Sequence, residues 1–337
     1  MLVTGGCGFI GANVVVDRLR RGDNVRVLDN YSRSGSEHAR GELGLLGANG
    51  LLEFLEGDVR NKADVAAAVD GADVVFHLAA QVAVTTSVAD PAADFETNAA
   101  GTFNVLEAAR ASVRRPIVVY ASTNKVYGAL SGLEPTRRDT RYELASAPHG
   151  VDETTRLDFH SPYGCSKGSA DQYVIDYARI YGLRTVVFRQ SCIYGPWQHG
   201  NEDQGWVAHF ALQALHRRPI TIFGDGRQVR DLLYVDDLVA AYELALQRID
   251  AVSGRAYNIG GGPASAVSLV EYVEFLEQKL GHSIAVAHDA WRPGDQRVYI
   301  SDVRAAARDL GWEPRTPLAA GTDALLSWLR ANVTAAG

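Results

Sequence analysis

Short runs of mainly hydrophobic residues alternate along the chain with longer stretches that have helical spacing. The runs are three to five residues long and lie at 2–4, 25–28, 52–56, 74–78, 117–120 and 184–188. Strands that alternate with helices predict a parallel sheet, and the ligands of such sheets bind beyond the carboxyl ends of the strands. The pattern therefore predicts an α/β protein whose binding residues directly follow its strands.

The pattern changes after residue 190. We predict a first domain over residues 1–190, which binds a dinucleotide and carries the catalytic residues, with one long helix over 91–111. A smaller C-terminal α/β lobe over 191–337 is expected to bind the substrate and to return some segments to the main sheet. Residues 130–160 are polar, rich in Arg and Asp, and without clear periodicity. Long loops inside compact domains are usually functional, so we expect this segment to be a substrate-side lid.

A glycine-rich turn follows the first predicted strand. Its glycines can be read as G-x-G-x-x-G (Gly6, Gly8, Gly11) or as G-x-x-G-x-x-G (Gly5, Gly8, Gly11), and an amphipathic stretch comes next. Such a turn brings backbone N–H groups and a helix N-terminus against a pyrophosphate. The pattern is typical of a Rossmann-type doubly wound parallel sheet.

An acid at the end of the second strand indicates which dinucleotide is bound. Asp29 lies 18 residues after Gly11, where a carboxylate accepts hydrogen bonds from the adenosine ribose and repels a 2′-phosphate. Arg33 nearby is a weaker signal in the opposite direction. The sequence therefore predicts NAD rather than NADP, with Asp58 and the small residues Ala79 and Ala80 close to the dinucleotide.

Tyr163 and Lys167 are four residues apart in the stretch Ser161–Lys167, which we predict to open a helix. Residues at this spacing are neighbours on a helix surface, and an ammonium beside a phenol lowers the pKa of the phenol towards that of a usable general base. The spacing alone is weak evidence, because the chain has 14 tyrosines. An ordinary surface pair is the alternative.

Composition and charge exclude several classes of function. The net charge of -7 gives no reason to expect nucleic acid, and the apolar runs are far too short to span a membrane. No secretory leader is expected at the N-terminus. The three cysteines are scattered, and no His/Cys cluster has metal-ligand spacing. We therefore expect a cytoplasmic, metal-free protein.

Several motifs together resemble the extended short-chain dehydrogenase/reductase superfamily, whose members modify nucleotide sugars. They are TGGxGFIG at 4–11, HLAAQ at 77–81, NxxGT at 98–102, VYG at 126–128, YGCSK at 163–167 and GDGRQVRD at 224–231. The resemblance implies that Thr123, Tyr163 and Lys167 are catalytic and that Lys167 also holds the nicotinamide ribose. It further implies that Arg230 and Arg292 bind the substrate pyrophosphate, although spacing alone favours solvated arginines.

The residues after Thr123 indicate which members of this superfamily the chain resembles most. Sugar 4,6-dehydratases carry Asp-Glu where this chain has Asn124 and Lys125, so dehydration is not expected. The segments 81–87, 122–128, 157–163, 203–206 and 295–297 are similar to CDP-paratose 2-epimerases, also called CDP-tyvelose epimerases. That similarity implies NAD-dependent inversion of C2 in a CDP-hexose through a 2-keto sugar. A UDP-sugar 4-epimerase, a net-redox reductase and a catalytically inactive NAD-sensing protein are the alternatives.

The resemblance also implies a full set of site residues and a partner. A homodimer is expected through the helices that contain Pro91 and Tyr163. The cofactor-binding residues are Gly5, Gly8, Phe9, Ile10, Gly11, Asp29, Asn30, Ser32, Arg33, Asp58, Val59, Leu78, Ala79, Ala80, Gln81, Asn98, Tyr163 and Lys167. The substrate-binding residues are Gln81, Thr123, Asn124, Lys125, Gln190, Arg230, Arg292 and Asp295.

Overall fold

The computed structural model describes residues 1–48, 50–292 and 294–333. The strands are β1 Leu2–Thr4, β2 Val25–Asp29, β3 Leu52–Glu56, β4 Val74–His77, β5 Ile117–Thr123, β6 Thr136–Arg137, β7 Tyr142–Glu143, β8 Thr185–Gln190, β9 Cys192–Tyr194, β10 Ile220–Phe223, β11 Val229–Tyr234, β12 Arg255–Ile259, β13 Ala266–Ser268, β14 Val286–Asp289 and β15 Val298–Tyr299. The helices are α1 Phe9–Arg20, α2 Ser36–Leu46, α3 Lys62–Val69, α4 Val84–Ala89, α5 Pro91–Phe95, α6 Gly101–Ala111, α7 Ser161–Tyr181, α8 Trp206–Leu215, α9 Val235–Gln247, α10 Ile249–Val252, α11 Leu269–Leu280, α12 Arg304–Leu310 and α13 Leu318–Asn332.

A seven-stranded parallel sheet forms the centre of the fold, in the order β12-β8-β5-β4-β1-β2-β3. A layer of buried apolar side chains covers each face of the sheet. Strands such as β4 and β8 are therefore buried along their whole length. The predicted α/β class with a doubly wound parallel sheet is confirmed. The strand order reverses beside β1, which is where such sheets bind their ligands.

Most of the remaining strands belong to the C-terminal part of the chain. β9, β13 and β15 pair with β11, and β10 pairs with β14. Helices α8, α11 and α13 pack around them, and their shared core contains Phe210, Leu276 and Leu326. β12 also comes from the C-terminal part of the chain, but it pairs with β8 and forms one edge of the central sheet. None of the described helices is long and apolar enough to cross a membrane.

The sequence predicts one long helix from Pro91 to Ala111. In the structure this run is not one regular α-helix. A π-helical turn over Glu96–Ala100 separates α5 from α6. Such turns are rare and occur frequently at functional sites. Here the turn contains Asn98, whose amide nitrogen contacts the carboxylate of Asp94 at 3.1 Å.

Residues 130–160 are largely irregular and contain only the short hairpin β6–β7. This segment is anchored to the C-terminal part of the chain. Arg141 forms an ion pair with Glu271 at 2.5 Å, Tyr142 donates a hydrogen bond to Asp225 at 2.8 Å, and Val151 pairs with Ser301.

Candidate active site

A cleft of about 620 Å³ lies at the carboxyl end of the central sheet. Residues at or just beyond the carboxyl ends of β1, β2, β3, β4, β5 and β8 line it, together with the start of α7 and the residues around the start of α8. Ligands of doubly wound sheets bind at this end, beside the point where the strand order reverses. The cleft is therefore the candidate active site.

The glycine turn between β1 and α1 has no room for a side chain at Gly5, and the start of α1 has none at Gly11. Gly5 has a φ of 67°, and a Cβ atom there would lie 2.8 Å from the backbone of Ala79. A Cβ atom on Gly11 would lie 2.1 Å from the carbonyl oxygen of Gly5. Glycine therefore lets the turn pass close to the neighbouring strand and lets α1 present its N-terminus to the cleft.

Asp29 ends β2 and is buried in the cleft wall. Its two carboxylate oxygens accept hydrogen bonds from the backbone N–H groups of Cys7 and Tyr31, both at 2.9 Å. Burial raises the pKa of Asp29, and these backbone hydrogen bonds oppose the rise. Each carboxylate oxygen has a further lone pair, so Asp29 fixes the glycine turn and can still accept from ribose hydroxyls.

In the sequence, Arg33 was a weak indication of NADP instead of NAD. In the structure its side chain is bound by another residue of the protein. Its guanidinium donates a hydrogen bond to Oε1 of Gln204, in the loop before α8. Asn30 donates to Asp58 at 2.8 Å, and hydrogen bonding to Arg60 lowers the pKa of Asp58 to about 2. The carboxylate of Asp58 is therefore ionised at neutral pH, whereas Arg33 is held by a neutral amide.

Tyr163 and Lys167 lie one turn apart at the start of α7, and both are buried. Pro162 sits in the first turn of that helix, where its missing N–H costs no hydrogen bond. Lys167 Nζ donates to the carbonyl oxygen of Ala121 at 2.6 Å and lies 4.3 Å from the ring centroid of Tyr120. The pair is thus docked against β5 and faces the cleft.

Burial decides the pKa values of this pair. Burial raises the pKa of Tyr163 to about 12, although a hydrogen bond with Thr123 acts in the opposite direction. Burial also lowers the pKa of Lys167 to about 7, although Asp171 and Asp94 favour its charged form. In the protein alone the pKa of Tyr163 is therefore raised, not lowered as the sequence predicted, because burial outweighs the hydrogen bond from Thr123.

A buried ion pair joins β8 to α7 close to the end of β5. Arg189 of β8 donates to both carboxylate oxygens of Asp171 at 2.9 and 3.0 Å. Asp171 also accepts a hydrogen bond from Ser122 Oγ at 2.7 Å, and Ser122 is the residue before Thr123. Arg189 continues the network to the hydroxyl of Tyr127 at 3.0 Å. The pair therefore joins α7, β5 and β8 beneath the site.

A second polar cluster lies beyond the end of β5. Arg230 donates to Asp295 at 2.6 Å, and Lys125 Nζ lies 3.5 Å from the same carboxylate. Asn124 reaches Gln296 of the same segment at 3.4 Å. Arg292 is placed differently, since it pairs with Asp203 at 3.2 Å and its guanidinium lies 3.9 Å from the ring centroid of Phe223.

Residues 1–260 match the family model described as the NAD dependent epimerase/dehydratase family. The chain belongs to this family.

Individual relatives agree with the family assignment. The sequence is 43% identical over 335 residues to the CDP-paratose 2-epimerase of Salmonella typhi, covering 97% of this chain and 98% of the relative. The fold matches UDP-glucose 4-epimerase from Thermotoga maritima, solved with UDP-glucose, at a TM-score of 0.84 and 31% identity, covering 99% of both chains. It also matches the Thermus thermophilus UDP-glucose 4-epimerase complex with NAD at a TM-score of 0.81 and 31% identity, over 98% and 99% of the chains.

The cleft fits the NAD of this epimerase/dehydratase family. The glycine turn offers a helix N-terminus for a pyrophosphate, and Asp29 retains acceptor capacity for a ribose. Among the described residues, the buried carboxamide oxygen of Gln198 has no hydrogen-bond partner and belongs to a side chain that lines the cleft. A ligand can satisfy such an acceptor. The prediction of an NAD-dependent enzyme is confirmed.

The structure brings most of the predicted site residues to the cleft. The lining includes all the predicted cofactor residues except Asn98, and it includes the predicted substrate residues Gln81, Thr123 and Gln190. Asn98 is buried behind the wall, where its side chain bonds the backbone N–H and carbonyl of Gln81, both at 2.9 Å. The other predicted substrate residues lie outside the lining of this cleft: Asn124, Lys125, Arg230, Arg292 and Asp295.

Sequence reasoning missed one wall of the cleft and its buried support. The missed wall comes from the C-terminal half of the chain and comprises Gln198, Gln204, Gly205, Trp206 and Val207. Ser191, Cys192 and Ile193 lie beside it and follow β8, where the alternation of strands and helices predicts binding residues. The similarity of segment 203–206 to known epimerases was the available signal for part of it. Nothing local marks Asp171 or Arg189, because their roles depend on contacts between distant segments.

Proposed function

We propose that the protein inverts C2 of a CDP-linked hexose, of the CDP-paratose/CDP-tyvelose or CDP-glucose/CDP-mannose type, through a transient 2-keto sugar. One observation carries the proposal. Thr123, within hydrogen-bonding reach of Tyr163, is followed by an amide and an ammonium, Asn124 and Lys125, that contact the segment 294–296. Neither side chain can supply the carboxylate acid and base that dehydration needs. The 43% identity to a CDP-paratose 2-epimerase supports the same reaction.

The geometry at the start of α7 supports the following catalytic roles. Tyr163 takes the proton of the C2 hydroxyl and returns it after the keto sugar has presented its other face. Thr123 holds the same oxygen by a hydrogen bond, and Lys167 supplies a nearby positive charge. NAD, when bound, supplies reversible hydride acceptance, so the reaction has no net redox change. Because burial keeps Tyr163 protonated in the protein alone, further positive charge in the cleft is required for it to act as a base.

The cluster beyond β5 is proposed to hold the nucleotide sugar. Arg230 is suited to a pyrophosphate, because a guanidinium binds phosphate oxygens in a bidentate manner. It is held by Asp295, so substrate binding would exchange one anionic partner for another. Lys125 and Asn124 would then orient the hexose from the same side. Arg292 is a second candidate for the pyrophosphate, and would have to leave Asp203.

A UDP-sugar 4-epimerase is the second candidate. The structural similarity to UDP-glucose 4-epimerase from Thermotoga maritima favours it. The same three catalytic residues could serve either carbon, because only the seating of the sugar differs. Under either reaction, exposed aromatic side chains on α6 and α7 support a homodimer.

An NMR time course distinguishes these reactions. Purified protein without added NAD is given CDP-glucose or CDP-paratose, and separately UDP-glucose. Conversion of a CDP-sugar to its C2 epimer is the expected result, and it would also show that the cofactor is retained through turnover. A galacto product from UDP-glucose would move the assignment to a 4-epimerase. Absence of turnover with every substrate after NAD is supplied would contradict both assignments.

A further inference from the structure

One hydrogen bond joins the two walls of the cleft. Arg33 lines the cleft on the side of β2, and Gln204 lines it from the loop before α8. The guanidinium of Arg33 donates to Oε1 of Gln204, although the two residues are 171 positions apart in the chain. Because both residues line the cleft and Arg33 is exposed to solvent, their bond spans the open side of the cleft and not its floor.

The bond lies at the end of the cleft that fits the adenosine half of NAD. Arg33 comes four residues after Asp29, whose carboxylate has acceptor capacity for a ribose. Asp29 in turn is joined to the glycine turn through the backbone N–H of Cys7 at 2.9 Å. A dinucleotide that reaches from Asp29 to Tyr163 is therefore crossed by the Arg33–Gln204 bond near its adenosine end.

A closed turn over residues 201–204 presents Gln204 to Arg33. The backbone N–H of Asn201 donates to the carbonyl oxygen of Gln204 at 2.9 Å, and Oδ1 of Asn201 accepts from the backbone N–H groups of Asp203 and Gln204 at 3.0 and 2.9 Å. Asp203 also pairs with Arg292 at 3.2 Å, which anchors the far side of the turn. Gly205, with a φ of 73°, separates the turn from α8, so the turn can pivot there as one unit.

We propose that the Arg33–Gln204 hydrogen bond is a clasp over the cofactor, so that NAD enters and leaves only after the turn 201–204 has moved away from Arg33. The bond joins an exposed guanidinium to a neutral amide. It is therefore strong enough to slow exchange, yet it opens far more readily than a buried ion pair. Arg33 and Gln204 act as positioning residues that retain the cofactor, whichever sugar the enzyme converts.

The test measures how fast NADH enters and leaves the full-length protein. Release is followed after excess NAD is added to the NADH-loaded protein, and association after nucleotide-free protein is mixed with NADH. The signal is energy transfer from tryptophan to NADH, since Trp206 lines the cleft. Gln204→Leu removes the acceptor at similar size, and Gln204→Ser is a second variant in case the first does not fold. Glu202→Leu is the matched control, because Glu202 is exposed in the same turn and lies outside the lining of the cleft.

Loss of the clasp should speed entry and exit alike, because the same bond has to open for both. We expect Gln204→Leu to raise the association and release rates of NADH by about tenfold each, the effect of one hydrogen bond to a charged group, with little change in Kd. Gln204→Glu should slow both steps by pairing with Arg33, and should no longer do so in an Arg33→Met background. The control should match the wild type.

Two results would overturn the proposal. Unchanged rates in both Gln204→Leu and Gln204→Ser would show that the bond does not limit exchange. Faster release with unchanged association would show that Gln204 contacts the cofactor or supports the wall, and is not a clasp. Because no sugar takes part in the experiment, its outcome is independent of the proposed C2 reaction.

Discussion

Tyr163 carries the proposed chemistry at the scale of a single residue. Replacing it with phenylalanine removes the proton acceptor and keeps the ring, so we expect kcat to fall by at least about 10²-fold, the lower range for a general acid–base group. Tyr177→Phe is the matched control, because Tyr177 lies on the same helix and donates its hydroxyl to Glu107 at 2.7 Å, away from the cleft. Near-normal turnover by Tyr163→Phe under conditions where the control is active would contradict the assignment.

His77 is the residue whose titration should couple pH to stability. It is fully buried between Thr4 of β1 and Thr102 of α6, at 2.8 and 3.0 Å, and burial lowers its pKa to about 3. The unfolded chain binds the proton below about pH 6.5 and the folded chain does not, so stability falls as the pH drops below that value. We expect a loss of about 2 kcal/mol at pH 5 from this group.

Urea denaturation across this pH range measures the effect. His77→Asn should be less stable at neutral pH, since it breaks the contacts to Thr4 and Thr102, but its stability should decline less on acidification. His288→Asn is the control for the chemistry of the substitution, because His288 is exposed. Parallel pH dependences for His77→Asn and the wild type would refute this account.

At the scale of elements, the Arg189–Asp171 ion pair joins β8 to α7 and, through Ser122, to β5. Removing one partner leaves an uncompensated buried charge, so Asp171→Asn should lower the free energy of unfolding by about 3 kcal/mol. The double variant Asp171→Asn/Arg189→Met should cost less than the sum of its two single changes, Asp171→Asn and Arg189→Met, because it leaves no unpaired charge. Urea denaturation of the four proteins measures the coupling, and simple additivity would contradict it.

The elements that the sequence predicts well are those with a local signal. The glycine turn, the acid at the end of β2 and the Tyr163–Lys167 spacing each follow from backbone geometry within a few residues. The π-helical turn in the 91–111 run was missed, because it depends on the packing of Asp94 and Asn98 against Gln81 and Ser166. Such contacts join residues up to 72 positions apart, which no periodicity reveals.

At the scale of the whole molecule, the cleft is shared by two parts of the chain. The central sheet contributes the wall that the sequence identifies, and residues around the start of α8 contribute the other. The bond from Arg33 to Gln204 connects the two walls. The raised pKa of Tyr163 could not be predicted, because the sequence shows which residue neighbours the phenol but not how deeply the phenol is buried.

The proposed homodimer can be tested on the exposed surface of α6 and α7. Phe103 is 39% exposed and Tyr173 is 51% exposed, and their rings contact edge to face with centroids 6.1 Å apart. Exposed apolar patches of this kind mark protein interfaces. We expect light scattering to give about twice the chain mass of 36.4 kDa for the wild type, and the mass of one chain for Phe103→Arg/Tyr173→Arg.

Val113→Arg is the control, because Val113 is fully exposed in the loop after α6 and should not affect assembly. A monomeric wild type, or dissociation by the control as well, would show that this surface is not the interface.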